Sequence, residues 1–122
     1  MNERAEALDE EIDPVARRAV ELTYEAVPAY AAQLDARGRK HCEADARFHV
    51  RALVASLALD EASIFVDYAR WCEQLLRGYG IDAENLVAMF RATATAVQEL
   101  APAAAGPAAT HLRAAEDALA GH

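Results

Sequence analysis

An all-α domain of about five helices is what this sequence predicts, and three observations carry that expectation. Apolar residues recur at three- and four-residue steps through every patterned segment, the spacing of a helix face turned toward a core. Alanine, the strongest helix former, dominates a hydrophobic fraction of 54%. Runs of β-branched residues bounded by turn signals, which would mark strands, do not occur, and no internal repeat is visible. A chain of 122 residues is long enough for one real core and too short for two, so residues 1–122 are expected to form a single domain.

The elements follow in order. Residues 1–13 read as a short N-terminal helix or arm. From Pro14 to about Ala36, Val15, Ala19, Leu22, Thr23, Ala26, Val27, Tyr30 and Leu34 form a stripe. Asp13 suits an N-cap and Pro14 a first turn, while Pro28 predicts a kink or short break and Gly38 an end. A second helix spans about Arg39 to Leu59, with Asp60 placed to cap the third. That third helix carries Ile64, Phe65, Tyr68, Trp71, Cys72, Leu75 and Leu76 and stops at Gly78 and Gly80. Asp82 caps a fourth, which turns Leu86, Met89, Phe90, Thr93, Val97 and Leu100 inward. The breaker run APAAAGP follows, and Pro107 opens a last helix ending near Ala120.

Composition excludes several functions. A net charge of −8 opposes binding to nucleic acid or to anionic membranes, both of which rely on clustered Lys and Arg. No apolar run approaches the roughly 20 residues of a transmembrane helix. The acidic start MNERAEALDEEID lacks the basic-then-apolar order of a signal peptide, so a cytoplasmic location is expected. Cys42 and Cys72 are then free thiols, and two cysteines without paired spacing make no zinc site. Neither a phosphate-cradling glycine loop nor a Ser–His–Asp pattern occurs, which predicts a protein that is not an enzyme. His41, His111 and His122 read as exposed.

The stretch Gly38 to Leu57, GRKHCEADARFHVRALVASL, holds the chemistry. At 100° per residue Cys42, Ala46, His49, Val50, Leu53 and Leu57 share one face, with Arg47 and Arg51 turned outward. Cys42 and His49 lie two turns apart, roughly 10 Å, with Asp45 at the edge between them. A thiolate could attack an unsaturated carbon, and Arg39, Lys40 and the helix N-terminus would lower its pKa. A carboxylate could accept pyrrole N–H groups, and a neutral imidazole could ligate a metal. Each residue has an ordinary alternative: a core cysteine, an exposed or ion-paired aspartate, a core histidine. Tyr68, Trp71 and Tyr79 read equally as cleft lining or as core.

The central stretch resembles the phycobiliproteins, globin-like light-harvesting subunits that carry linear tetrapyrroles. Their chromophore helix has a cysteine, an aspartate three residues later, two bulky aromatic residues and an apolar run; here these positions hold Cys42, Asp45, Phe48, His49 and VRALVASL. FVDYARW and GYGIDAENLVAMF continue the similarity, which covers about Gly38 to Leu100. The segment is also similar to a helical domain of bacterial sensory proteins, some with a corrinoid-binding module, through GR, C, D and H and a later DYARW. Ala44 stands where the phycobiliproteins usually carry an arginine, and the region before the cysteine is shorter.

The resemblance implies a globin-like domain that binds a tetrapyrrole, preferably a linear bilin, in a sensory or carrier role. Cys42 would be its attachment point, and Asp45, His49, Arg39, Tyr68 and Trp71 its contacts. Haem fits less well, because the helix opposite His49 has no histidine; a corrinoid sensor is a further variant. The other class of reading is a ligand-free dimerisation or signalling module. A homodimer is expected through the Pro14 to Ala36 helix, with Tyr24 and Tyr30 as anchors.

Overall fold

The computed structural model describes residues 2–120, and every regular element among them is helical. Seven α-helices follow one another: α1 (Glu3–Asp9), α2 (Ile12–Ala26), α3 (Pro28–Ala32), α4 (Ala36–Ala58), α5 (Ala62–Gly78), α6 (Ala83–Leu100) and α7 (Ala105–Ala120). A single 3₁₀ turn, Pro102–Ala104, joins α6 to α7. Seven replaces the expected five for two reasons. The N-terminal arm is a capped helix, and Pro28 divides the first expected helix rather than bending it.

Local chemistry accounts for these boundaries. Asn2 accepts the Ala5 N–H through Oδ1 at 2.8 Å, and its amide donates to the Leu57 carbonyl at 2.8 Å. One side chain thus caps α1 and ties it to the end of α4. Pro28 lacks an N–H and crowds the preceding turn, so α2 stops at Ala26 and α3 restarts at the proline. Helix α2 begins at Ile12, one turn-fraction ahead of the expected Asp13 cap, and Asp13 sits in its first turn.

Two expected boundary residues play other parts. Gly38 does not end a helix; it lies in the first turn of α4 and donates its N–H to the capping carboxylate of Asp35 at 2.7 Å. Asp60 does not cap α5. Its φ of 49° places it in the left-handed region, where it closes α4. The Asp60 N–H reaches the Leu57 carbonyl at 3.2 Å and the Glu61 N–H reaches the Ser56 carbonyl at 2.9 Å, the paired bonds of a Schellman ending. Gly80, at φ 73°, closes α5 in the same way through Arg77 and Leu76. Asp82 does cap α6, accepting the Glu84 N–H at 3.0 Å.

Packing places α2 against α6 and α4, α5 against α7 and α4, and α6 against α7. Phe65, Phe90, Leu8, Leu53 and Leu112 are the largest fully buried side chains, and alanines on α6 and α7 let the helices approach closely. Buried hydroxyls are satisfied within their own helices: Thr23 donates to Ala19 and Thr93 to Met89, each at 2.7 Å. His111, expected at the surface, is buried on α7 against Ser56 of α4, at 2.9 Å from Nδ1 to Oγ. Leu100, expected inside, is exposed at the end of α6. His122 lies outside the described residues. Among the described residues, no helix is long and apolar enough to cross a membrane.

Candidate functional site

Helices α4 and α5 form an antiparallel pair joined by a short turn, and a cleft opens between them. Asp45, Phe48 and His49 line it from α4, Tyr68, Trp71, Cys72, Leu75 and Leu76 from α5, and Leu86 from α6. Its volume is about 200 Å³ and its lining is mainly apolar. Larger grooves, of about 450 and 580 Å³, run along α6 beside Arg91. Charged side chains border them, including the Arg91–Glu116 pair at 2.7 Å, and no histidine, cysteine or aromatic residue lines them. The smaller cleft is therefore the candidate.

Its floor is His49. The ring is buried, in edge contact with Tyr68 and Phe90 at centroid distances of 5.6 and 5.5 Å. Phe65 lies beneath, 5.1 Å from Phe90. Nδ1 meets the Tyr68 hydroxyl at 2.6 Å, which leaves Nε2 as the second ring nitrogen. Loss of hydration in this aromatic surround pushes the His49 pKa down to about 4, so the imidazole is neutral at physiological pH. Burial also drives the Tyr68 phenol well above its ordinary value, so its hydroxyl stays protonated.

The rim has a different character. Asp45 is exposed on one side, and its partial burial holds the carboxyl above its ordinary pKa, partly offset by His41. Trp71 is 58% exposed and Phe48 56%, with Leu75 and Tyr79 also exposed, so Trp71 and Tyr79 are not the core aromatics their spacing allowed. The α4 register is as projected at His49, buried, and Arg51, exposed; Arg47 is half-buried.

Four of the six residues singled out in the sequence, Asp45, His49, Tyr68 and Trp71, thus line one cleft. Cys42 and Arg39 do not. Cys42 is two turns nearer the α4 N-terminus, and its cover is the α2–α3 corner. Its sulfur lies 4.0 Å from the Tyr30 hydroxyl, and Tyr24 is close enough to affect its ionisation. Burial pushes the Cys42 thiol up, not down as its basic neighbours suggested. Arg39 is spent on that corner: it donates to the Ala31 carbonyl at 3.1 Å and lies over the Tyr24 ring at 4.9 Å. Tyr24 and Tyr30 therefore face their own chain and are not free anchors for a second copy.

The thiol that borders the cleft is Cys72, which is also buried in the core, where its stripe places it. Phe48, Leu75, Leu76 and Leu86 were also missed as cleft residues. The stripes of α5 and α6 turn Leu75, Leu76 and Leu86 toward a buried face, whereas Phe48 lies outside the projected α4 face; in the structure Leu86 is buried and Leu75 and Phe48 are exposed. The Ser56–His111 contact is not a catalytic pair. Ser56 is fully buried and donates its proton to the Leu53 carbonyl at 2.8 Å, so it accepts from the His111 Nδ1–H. Among the described residues no group of three or more His, Cys, Asp or Glu side chains is placed to hold a metal ion. Comparison with family models, with curated proteins and with solved structures yields no match.

Proposed function

We propose that this chain is a globin-like, non-enzymatic binding domain whose α4–α5 cleft takes the edge of a planar, mostly apolar ligand. A linear tetrapyrrole is the preferred ligand, and haem a lesser one. The observation that carries the reading is the floor of the cleft, a buried, neutral His49 held by Tyr68 beside an apolar wall ending in a carboxylate. His49 Nε2 would meet one polar atom of the ligand. Asp45 at the rim would accept pyrrole N–H groups or balance a protonated chromophore. Trp71 and Phe48 supply flat surfaces for stacking.

The residues fit non-covalent contact and do not fit a thioether through Cys42, which lies under Tyr30 outside the cleft. At about 200 Å³ the cleft is also smaller than the 300–1,000 Å³ usual for enclosed ligands, so most of a tetrapyrrole would lie over the rim. Titration with biliverdin and with haemin, followed by absorption and melting temperature, tests the reading. Biliverdin should shift its absorption and raise the melting temperature, His49→Gln and Tyr68→Phe should weaken both effects, and Cys42→Ala should leave them unchanged. No spectral or thermal response to either compound would overturn it.

A second reading is a ligand-free interaction module in a sensory or signalling role. It is favoured by the exposure of Phe48, Trp71 and Leu75, which form an apolar surface rather than a closed pocket.

A further inference from the structure

The α4–α5 cleft has an electrostatic feature that its apolar walls do not balance. Its lining includes Asp45 but no lysine or arginine, and His49 on the floor is neutral, so the carboxylate supplies the formal charge. Asp45 has no ion-pair partner among the described residues. Loss of hydration raises its carboxyl above the ordinary value, and His41, one turn earlier on α4, offsets only part of that rise. The charge is felt inside the cleft. Burial lifts the Tyr68 phenol and the Cys72 thiol on the facing wall, and the Asp45 charge adds to both rises.

Aromatic faces stand at the same rim. Trp71 and Phe48 each expose more than half of their surface, and the Trp71 ring lies 6.2 Å from that of Tyr68. The faces of such rings are electron-rich and attract cations, tryptophan most strongly. Phe48 already shows the attraction, with the Arg51 guanidinium 5.9 Å from its ring. Arg51 does not line the cleft, and among the described residues no cation lies over Trp71.

We propose that the cleft binds a small organic amine as its ammonium ion, the charged head between Asp45 and Trp71 and the apolar body against Leu75, Leu76 and Leu86. Size and charge both favour this class. A cavity of ~150 Å³ can hold benzene, so a volume of about 200 Å³ takes a single ring or a short alkyl chain. An anion would meet the Asp45 charge, and a neutral molecule would displace water from the carboxylate without replacing it. The proposal rests on the reading of the cleft as a ligand site, not on a tetrapyrrole as the ligand.

Benzylammonium, benzyl alcohol and benzoate share one ring and differ in charge, and Trp71, the only tryptophan, reports on the rim. Titrated at neutral pH, benzylammonium should change the Trp71 emission and raise the melting temperature. It should bind about tenfold more tightly than benzyl alcohol, and benzoate should give no response. Asp45→Asn should remove that preference and leave the binding of benzyl alcohol as it was, with circular dichroism still helical. Glu43→Gln removes the same charge from an exposed residue outside the cleft and should leave the preference intact. This control separates the site from the general attraction of a chain with a net charge of −8. No response to the amine, equal binding of amine and alcohol, a preference that survives Asp45→Asn, or one that Glu43→Gln also removes would overturn the proposal. Biliverdin absorption judges the tetrapyrrole separately. An amine response without a biliverdin shift overturns that ligand alone, and a biliverdin shift without an amine preference overturns the amine alone.

Discussion

Cys42 and Cys72 are almost equally covered, at 5 and 6% exposure, yet they occupy opposite kinds of place. Cys42 sits under a lid built from the α2–α3 corner, where Tyr24, Tyr30 and Arg39 close over it. Cys72 sits in the wall of a cleft whose rim carries Trp71 and Leu75 in water. In both, burial raises the thiol pKa and bonding to a tyrosine partly opposes the rise. Burial of a residue therefore says little about access. What matters is whether the cover is a packed corner or an open mouth.

The largest test of that contrast is the cleft floor. Phe90 is fully buried beneath His49, so Phe90→Ala should cost about 3–5 kcal/mol in chemical denaturation and disturb the cleft. Trp71→Ala on the rim should cost under about 1 kcal/mol, because the ring is mostly in water. Equal losses would mean that the rim is structural and the distinction false.

Acidification comes next. The His49 pKa falls from 6.5 to about 4 on folding, so below pH 6.5 the unfolded chain takes up a proton that the folded chain refuses. Stability should thus be complete above about pH 6.5 and be lost as pH falls toward 4, by about 3 kcal/mol in all. His111 is shifted in the same direction and adds to the loss, whereas the raised Asp45 opposes it at the acid end. His49→Gln should flatten the pH dependence of the denaturation midpoint; an unchanged slope would place the titration elsewhere.

The lid offers a smaller effect. The Tyr24 hydroxyl is buried near the Cys42 thiol but makes no hydrogen bond of ordinary length among the described residues, and burial first, then that thiol, drives its pKa up to about 12. Tyr24→Phe should therefore leave stability unchanged or raise it by up to about 1 kcal/mol, since it removes a polar group that burial penalises. A clear loss would show that the hydroxyl is bonded. The smallest effect should lie in thiol labelling of the native chain, slow at both cysteines. Trp71→Ala should quicken labelling of Cys72 and leave Cys42 unchanged, read by mass after digestion.

Much of this was legible before any coordinates. The stripe on α4 put His49 inside and Arg51 outside, because side-chain direction along a helix follows from 100° per residue alone. The end of α5 at Gly78, the turn at Gly80 and the cap at Asp82 are equally readable, each resting on the chemistry of one or two residues. Boundaries that depend on competing local bonds were misread. Gly38 and Asp60 suit helix ends of either polarity, and only the actual partners, Asp35 for one and Leu57 for the other, assign them.

The sequence by itself determined an all-helical chain, the faces that α2, α4 and α6 turn inward, and the presence of a histidine among apolar residues. Tertiary structure alone decided which faces meet. It set Tyr68 against His49 and Ser56 against His111, and it separated Cys42 from the cleft by placing the α2–α3 corner over it. The physical reason is one of range. Helix formation and facing follow from bonds and angles within a few residues, whereas a cleft exists only where two helices diverge by more than their side chains can fill.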